Sequence, residues 1–294
     1  MKLESYVRPS GLDEALTLLA DPGAMPLVIA GGTDLIPQLR KERMNGTDGD
    51  ETPRLVLDLS KLDDLCDVRV DGGMLEVGAA VTLGAVAAHP VVKELVPVLA
   101  AAAASVGSPL VRNRATVGGN LVTASPSADT APALLASGAL VRIARAGCSR
   151  ELPLTQFFVD YRKTALREGE LLTHILVPLA GRPLPGRFEK IGLRNADAIS
   201  VMCAACEIEL DGTLCVAARI ALGAVAAVPL RAFAVEDALR GRKVTEDVAA
   251  ECARRVHEHI SPISDVRASA RYRAWVAEAV VARMIAETAQ VTRG

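Results

Sequence analysis

The spacing of apolar residues at the start of the chain predicts a strand, a helix and a second strand. Residues 3–8 have the pattern of a short strand. Beyond Ser10, apolar residues recur every three or four positions as far as Leu19, which indicates a helix capped by Ser10 with Asp13 at its third position. The apolar run 27–30 then predicts a buried strand that leads directly into a pair of glycines.

After the second strand comes a segment with the composition of a loop, and beyond it the apolar residues again have the spacing of strands and helices. Residues 40–54 are rich in charge, glycine and proline, which predicts a surface loop that includes 46–53. The elements predicted after this loop are a strand at 55–59, a hairpin turn at 71–73, helices at 98–106 and 131–137, and a strand near 139–143.

A proline-rich break at 182–186 is the predicted linker to a separate carboxy-terminal α+β unit. The elements predicted there are antiparallel strands at 188–193, 199–210 and 213–222, and helices near 231–240, 245–259 and 266–289. The last helix carries an apolar face with three- and four-residue spacing, which is typical of core. This face consists of Tyr272, Trp275, Val276, Ala279, Val280 and Met284.

The composition of the chain limits the kinds of molecule that it is expected to bind. The chain has 294 residues, 50% of them hydrophobic, which is enough for two or three domains with ample cores. Its 33 basic and 35 acidic residues give a formal net charge of −2, without a basic stripe or an acidic tail. Aromatic residues make up only 3% of the chain, which leaves few rings to stack on bases. We therefore expect no nucleic-acid partner.

The sequence also argues against secretion and membrane insertion. The amino terminus carries charges without the apolar segment of a signal peptide behind them. The longest uncharged run, 95–111, is interrupted by two prolines and a glycine and is too short to span a membrane. The six cysteines are scattered, which fits reduced thiols. We expect a cytoplasmic protein with no membrane span.

Metal and common nucleotide sites are not indicated. Cys203 and Cys206 have suggestive spacing, but they lie in a predicted strand, where residues three apart face opposite ways. His257 and His259 are two apart on a predicted helix and cannot share a face. The sequence contains neither a Gly-x-Gly fingerprint nor a P-loop motif. We expect no metal ligands in this chain.

Two glycine pairs carry the candidate binding chemistry. The segment 116–132 contains Gly118-Gly119 followed by hydroxyls, an amide and the carboxylate of Asp129. A second pair, Gly31-Gly32, directly follows the apolar run 27–30. Glycines allow tight turns and close approach of a ligand, and successive amides can hold a diphosphate without a lysine. Together they predict two walls of one site for a diphosphate and a sugar hydroxyl.

With these motifs in place, the sequence resembles the flavin-binding medium subunits of the molybdenum hydroxylases, the family of xanthine dehydrogenase and aerobic carbon monoxide dehydrogenase. The resemblance extends to Ser125, to 111–113 ahead of the second glycine pair and to 265–273 in the final helix, and it covers nearly the whole chain. It implies an α+β fold, with a two-subdomain FAD-binding fold of the vanillyl-alcohol-oxidase type and a carboxy-terminal domain of antiparallel sheet and three helices. The implied boundaries are 1–180 for the FAD domain, with subdomains of about 1–57 and 58–180, and 181–294 for the second domain.

The resemblance also implies roles for individual residues. The implied first diphosphate loop is Val28, Ile29, Ala30, Gly31, Gly32, Thr33, Asp34 and Leu35, and the implied second loop is Ala115, Thr116, Gly118, Gly119 and Asn120. Asp129 matches the carboxylate that binds the adenosine ribose. Leu172 and Lys190 match positions that flank the isoalloxazine, where a cation would tune the flavin potential. Val106 stands where some members have an aromatic residue, so a stacking contact is expected to be missing.

The function implied is electron transfer through FAD within a larger complex. Substrate is oxidised at a molybdenum cofactor on a large subunit, and electrons cross a small subunit with two [2Fe-2S] clusters before they reach this flavin. NAD, oxygen and a quinone remain open as the final acceptor, and the complex is expected to be a dimer of heterotrimers. No residue of the chain needs to act as a nucleophile or general base. The alternatives are a self-contained FAD-dependent oxidase of a small organic substrate and an assembly subunit whose flavin site has decayed.

Overall fold

The computed structural model of the chain describes residues 3–23, 26–44, 54–179 and 181–291. Its first unit is a small parallel sheet with two helices. The elements are β1 (Leu3–Val7), α1 (Leu12–Ala20), β2 (Leu27–Ile29), α2 (Leu35–Met44) and β3 (Arg54–Asp58). Strand β3 lies between β1 and β2 and pairs in parallel with both. The strand, helix and strand predicted at the start of the chain are confirmed.

Helix α1 packs its apolar face against this sheet, but its amino end differs from the prediction. Gly11, not Ser10, is the N-cap, and it gives no side-chain bond. The amide and hydroxyl of Ser10 both donate to the Glu14 carboxylate at 2.7 Å. The hydrogen bond from the Ser10 hydroxyl is the main reason that the pKa of Glu14 is lowered. Glu14 therefore occupies the third helical position, which the sequence analysis assigns to Asp13.

The predicted surface loop at 40–54 is partly helical. Residues 40–44 belong to α2 and residue 54 begins β3, whereas 45–53 lie outside the described residues. The charged residues that suggested a loop, Arg-Lys-Glu-Arg at 40–43, are good helix formers. Their high helix propensity favours the continuation of α2, whose first turn is fixed by hydrogen bonds to the glycine loop before it.

The second unit is a five-stranded antiparallel sheet covered by short helices. The five strands of this sheet are β4 (Val68–Asp71), β5 (Met74–Gly78), β6 (Leu140–Arg145), β7 (Cys148–Pro153) and β10 (Leu171–Pro178). Two further strands, β8 (Phe158–Asp160) and β9 (Lys163–Thr164), form a separate pair. The helices of the unit are α3 (Leu83–Ala88), α4 (Pro90–Leu95), α5 (Pro97–Ser105), α6 (Pro109–Arg112), α7 (Val117–Val122) and α8 (Thr130–Ala136). The sheet order is β4-β5-β10-β6-β7, and β8 pairs with β9. The predicted hairpin turn, both helices and the strand near 139–143 are confirmed.

The third unit is a four-stranded antiparallel sheet with three helices, as predicted. Its elements are β11 (Gly186–Ile191), β12 (Met202–Asp211), β13 (Leu214–Gly223), β14 (Leu230–Arg231), α9 (Phe233–Leu239), α10 (Glu246–Ala253) and α11 (Ala270–Val291), in the sheet order β11-β12-β13-β14. The predicted helix at 245–259 is α10 followed by a 3₁₀ turn at Arg254–Glu258. Among the helices that the structure describes, none has the length and apolar character needed to cross a membrane.

Strand β12 is buried on both faces, which joins the third unit to the second. Ala205 contributes to the core of the second unit, whereas Ala204 and Cys206 contribute to the core under α11. Cys206 contacts Thr288 of α11 at 3.4 Å, and burial raises the pKa of its thiol to about 11. Cys203 lies on the other face of β12, against Gly223. The prediction that these two cysteines face opposite ways is therefore confirmed.

The apolar face predicted for the last helix is only partly core. Val276, Val280 and Met284 are buried, but Tyr272 is 45% exposed and Trp275 is 64% exposed. Ala279 is exposed as well. The buried stripe of α11 is centred on the neighbouring row of small and branched residues, Ala277, Val281 and Ile285, so positions 272, 275 and 279 rotate out of the interface. The prediction of core at those three positions is wrong.

The predicted linker at 182–186 begins with a buried ion pair. The Arg182 guanidinium donates to both carboxylate oxygens of Glu207, at 2.6 and 2.7 Å, and their side chains are 2% and 0% exposed. Arg182 also donates to the Ser137 carbonyl at 2.9 Å, and the Ser137 hydroxyl donates to Glu207 at 3.1 Å. Since Ser137 follows α8 and Glu207 lies in β12, this cluster fastens the third unit to the second.

Candidate functional site

A cavity of about 640 Å³ lies where the first unit meets the second. Binding pockets for cofactors and other small ligands commonly measure roughly 300–1,000 Å³. All of the residues predicted to bind a ligand line this cavity, with the exception of Lys190. They are Val28, Ile29, Ala30, Gly31, Gly32, Thr33, Asp34, Leu35, Val106, Ala115, Thr116, Gly118, Gly119, Asn120, Asp129 and Leu172.

The cavity explains why one strand is less buried than predicted. All three residues of β2 are half-buried, although the apolar run 27–30 predicts a buried strand. Val28, Ile29 and Ala30 line the cavity, so part of their apolar surface faces open space instead of core. That surface is available to a ligand.

The first loop, residues 30–34, connects β2 to the amino end of α2. Within the described part of the chain, the amides of these residues donate to no protein acceptor. The carbonyls of Gly32 and Asp34 accept from the amides of Ile36 and Gln38, at 3.0 and 3.2 Å, and thereby start the helix. Gly32 has a φ of +71°, which only glycine adopts readily. A run of free amides at a helix amino terminus is suited to an anion such as a diphosphate.

Gly31 brings the two glycine loops into backbone contact. A Cβ at position 31 would lie 2.1 Å from the Arg114 carbonyl oxygen and 2.9 Å from the Ala115 Cα. No side chain fits there, because both neighbouring atoms belong to the backbone. The two turns therefore pack directly against each other as the two walls of one cavity.

The second loop has a different hydrogen-bond pattern from the first. Thr116 is the N-cap of α7, and its side chain accepts from the Gly119 amide at 3.0 Å. The Gly118 amide donates to the Ala79 carbonyl at 2.9 Å, and the Asn120 amide donates to the Thr116 carbonyl at 3.0 Å. A Cβ on Gly118 would lie 2.5 Å from the Ala79 Cβ and 2.6 Å from the Ala79 carbonyl oxygen. The close packing of α7 against Ala79 therefore requires glycine at 118, whether or not a ligand also approaches it.

Asp129 lies at the end of the same segment, where it is buried and hydrogen-bonded through both carboxylate oxygens. One carboxylate oxygen accepts from Lys190 Nζ at 2.5 Å, and the other accepts from the Ser200 hydroxyl. Lys190 also donates to the Ser105 carbonyl at 2.9 Å. Burial raises the pKa of the Asp129 carboxyl, and the Lys190 ammonium offsets part of that rise. Lys190 is thus an ion-pair partner of Asp129, held outside the cavity lining.

Part of the remaining cavity wall is aliphatic. Leu172 of β10 is 3% exposed, and Val106 lies directly after α5. Both line the cavity, as does Leu171. Within the described residues, no aromatic side chain lines it. A planar ring bound here would therefore rest on aliphatic surface, as the sequence predicts from valine at 106.

Several lining residues were not assigned individually from the sequence. They are Gln38, Leu59, Leu65, Ala79, Ala80, Gly107, Val111, Val122, Thr123, Ser125, Ser127, Ala128, Arg162, Leu166, Glu170, Leu171, Asp197, Ala198 and Ile199. The hydroxyls at 123, 125 and 127 belong to the segment 116–132, whose hydroxyls were predicted as a group to be candidate binding chemistry, without roles for the individual residues. Arg162, Glu170 and 197–199 come from turns far along the chain that carry no phosphate-binding motif, so their position depends on the tertiary fold.

The acidic side chains around the cavity are paired. The Glu170 carboxylate accepts from Arg150 at 2.9 and 2.8 Å, and these bonds are the main cause of its lowered pKa. Asp34 accepts from Gln38 and from the Thr123 hydroxyl, the latter at 3.2 Å. In the part of the chain that the structure describes, no group of three or more His, Cys, Asp or Glu residues could hold a metal ion.

Comparison with known proteins identifies the ligand class. Residues 1–180 match the family described as FAD binding domain in molybdopterin dehydrogenase, and 187–288 match the CO dehydrogenase flavoprotein C-terminal domain. The glyceraldehyde dehydrogenase medium chain of Sulfolobus acidocaldarius is 31% identical, over 97% of this chain and 98% of its own. The nicotinate dehydrogenase FAD-subunit of Eubacterium barkeri is 30% identical, over 93% and 92%.

A solved structure agrees with the sequence matches. The carbon monoxide dehydrogenase of Hydrogenophaga pseudoflava, in a form that lacks the Mo-pyranopterin moiety of the molybdenum cofactor, superposes with a TM-score of 0.90 and 27% identity. The match covers 99% of this chain and 98% of that chain. The predicted α+β fold, an FAD-binding fold followed by a carboxy-terminal domain, is confirmed. The chain belongs to the FAD-binding medium subunits of the molybdenum hydroxylases, the oxidoreductase family of xanthine dehydrogenase and carbon monoxide dehydrogenase.

Proposed function

We propose that the cavity between the first and second units holds FAD with its diphosphate on the first loop. The observation that carries this proposal is the run of amides at 30–34, which have no protein acceptor among the described residues and line the cavity at the amino end of α2. FAD, when bound, supplies the redox chemistry of the subunit. The residues of the chain bind the cofactor, orient it and exclude water from it.

The proposed contacts follow the order of the cofactor. Residues 28–35 and the second loop, 115–120, would enclose the diphosphate from two sides. Asp129 would accept hydrogen bonds from the adenosine ribose, because a carboxylate has about four acceptor sites and Lys190 and Ser200 use two of them. Leu172 and Val106 would contact the isoalloxazine with aliphatic surface.

We propose that Lys190 acts on the cofactor through Asp129. The resemblance to the family implies that this lysine flanks the isoalloxazine, but its Nζ lies 2.5 Å from the Asp129 carboxylate and 2.9 Å from the Ser105 carbonyl. Both contacts hold the ammonium away from the cavity lining. An ammonium in that place favours the ionised, hydrogen-bond-accepting form of the carboxyl and fixes its orientation toward the ribose.

Replacing Lys190 with methionine is expected to weaken FAD binding about tenfold at neutral pH, because a buried charge-assisted hydrogen bond orients the ribose acceptor. FAD binds the ionised carboxylate, so affinity is present above the pKa of Asp129 and is lost as pH falls through it. Burial has already raised that pKa, and without the Lys190 ammonium it rises further. The loss of affinity should therefore occur at higher pH in Lys190→Met than in the wild type, in FAD titrations across the acidic range.

Lys93→Met, on the exposed surface of α4, is the matched control and should leave both the affinity and its pH profile unchanged. A variant Lys190→Met with an unchanged pH profile but a shifted flavin potential would instead support direct action on the ring.

We also propose the finer composition of the complex. The relatives are named as medium chains or FAD subunits of dehydrogenases, which supports a small partner with two [2Fe-2S] clusters and a large partner with the molybdenum cofactor. Electrons would pass from the clusters through the flavin to an external acceptor, in a dimer of heterotrimers. A cytoplasmic location is proposed as well, since all six cysteines are free thiols and four of them are buried.

We further propose that the chain divides into domains at residue 180, with 1–180 as the FAD-binding part, itself split near 57, and 181–294 as the carboxy-terminal part. The two matched families fall on either side of that boundary, which supports the division.

The subunit function has more support than a self-contained oxidase. An oxidase would need free acid–base groups beside its substrate, but each acid of the lining is engaged in an ion pair. These acids are Asp34, Asp129, Glu170 and Asp197. The deciding experiment is purification of the tagged chain from its source, with assays for flavin, iron and molybdenum. Co-purification of all three with two further polypeptides is expected. Turnover of an organic substrate by the isolated flavin-loaded chain would favour the oxidase.

A further inference from the structure

We propose that Arg162 is the cation that binds the FAD diphosphate and offsets the carboxylate of Asp34 beside it. This inference rests on the proposed function, since it assigns a residue to the cofactor of that site. Arg162 belongs to neither glycine loop. It lies in the turn between β8 and β9, at the rim of the cavity.

The charges around the cavity single out this residue. Among the lining residues that the structure describes, Arg162 is the only lysine or arginine. Three of the four lining acids have cationic partners outside the lining: Glu170 with Arg150, Asp129 with Lys190, and Asp197 with Arg194. Among the described residues, the only cation paired with Asp34 is Arg162, at 3.6 Å from guanidinium nitrogen to carboxylate oxygen. Arg162, the only cation among the described lining residues, therefore lies beside Asp34, the acid of the first loop.

Its side chain has free donors. The separation of 3.6 Å from Asp34 is longer than a hydrogen bond, and within the described residues the guanidinium donates no hydrogen bond. The side chain is 41% exposed, so it can turn toward a ligand at little cost. A guanidinium has five donors in a planar fork that matches phosphate oxygens.

Position 162 has a backbone conformation that arginine rarely adopts, which indicates that this residue is present for its side chain. Arg162 has a φ of +55°, and its amide donates at 3.2 Å to the carbonyl of Ala124, whose φ is +47°. Turn positions with positive φ favour glycine or asparagine, and other residues persist there where the surroundings enforce them, often at functional sites. Ala124 follows Thr123, which donates to Asp34. The strained pair thus fixes Arg162 next to the diphosphate loop.

Electrostatics explains why a cation is needed. Asp34 lies in the loop 30–34, whose amides have no protein acceptor among the described residues, and its carboxylate is close to where a diphosphate would bind. Like charges in a partly desolvated site repel each other strongly unless a cation lies between or beside them. Arg162 is within reach of both groups, so it would exchange its loose contact with Asp34 for a shared position between Asp34 and a phosphate.

The test is FAD titration of the full-length chain after removal of flavin, at low and high salt. Arg162→Met keeps the strained backbone position and removes the charge, and it should weaken FAD binding about 10- to 100-fold with a smaller salt dependence. Lys163→Met removes the same charge one residue along, outside the cavity lining, and should stay within about twofold of the wild type. Adding Asp34→Asn to Arg162→Met should recover part of the loss, because it removes the repulsion.

Equal FAD affinity in Arg162→Met and wild type would overturn the assignment of Arg162. So would a drop in the thermal midpoint of the flavin-free chain that accounts for the lost binding, since that would indicate a purely structural role. Wild-type chain that takes up no FAD would instead contradict the proposed function itself.

Discussion

Replacing Gly31 with alanine is expected to abolish FAD retention and to destabilise the folded chain by about 3 kcal/mol, the upper part of the range for overpacking. The new Cβ would lie 2.1 Å from the carbonyl oxygen of Arg114, and backbone cannot move aside as the end of a side chain can. The two glycine loops would have to separate, which opens the cavity at the place where the diphosphate binds. Flavin absorbance after gel filtration and urea unfolding measure the two effects.

Gly11→Ala provides the control for this substitution. No atom lies within 4 Å of a Cβ at position 11, and its φ of −161° suits any residue. Because alanine is a poorer N-cap than glycine, the change should cost up to about 1 kcal/mol, well below the effect at position 31, and it should leave FAD bound. Flavin retention by Gly31→Ala at the wild-type level would mean that the two loops do not need their close contact.

Replacing Glu207 with alanine is expected to destabilise the chain by about 3–5 kcal/mol, because it leaves the Arg182 guanidinium buried without its counter-charge. Arg182 is 2% exposed and makes both of its shortest bonds to that carboxylate. The Ser137 hydroxyl loses its acceptor as well. Chemical denaturation of the purified chain would measure the change in the free energy of unfolding.

Two comparisons make this result specific. Glu258→Ala breaks the exposed pair with Arg255 and should change stability little, since exposed ion pairs contribute little. The double variant Arg182→Met/Glu207→Met should be more stable than Glu207→Ala, because no unpaired charge remains buried. A small effect of Glu207→Ala would show that the Arg182–Glu207 ion pair between the second and third units is not needed for stability.

Much of the fold was predictable because local pattern and tertiary structure agree. The glycines of 71–73 between two apolar runs gave the hairpin, and the proline-flanked alanine run gave α5. Strand β12 of the third unit appears in the sequence as a long, mainly apolar segment, since it is covered on both faces. The exposed positions of α11 were not predictable from spacing, because two adjacent stripes of that helix are apolar and only packing selects between them.

The glycine loops of the site could also be predicted, since they depend on short local motifs. The hydrogen bonds that distinguish the loops could not. Among the described residues, the amides of 30–34 have no protein acceptor, whereas the Gly118 amide donates to the Ala79 carbonyl, a contact across 39 positions that no local motif encodes. Lys190 and Arg162 are similar cases, because Lys190 pairs with a carboxylate 61 positions away and Arg162 reaches Asp34 through a turn without a binding motif.

The central claim is that FAD lies in this cavity with its diphosphate on residues 30–34. A crystal structure of the flavin-loaded chain, alone or in its complex, tests it most directly. We expect phosphate oxygens within about 3 Å of the amides in that loop. Density for the diphosphate anywhere else, or a wild-type chain that binds no flavin, would contradict the claim.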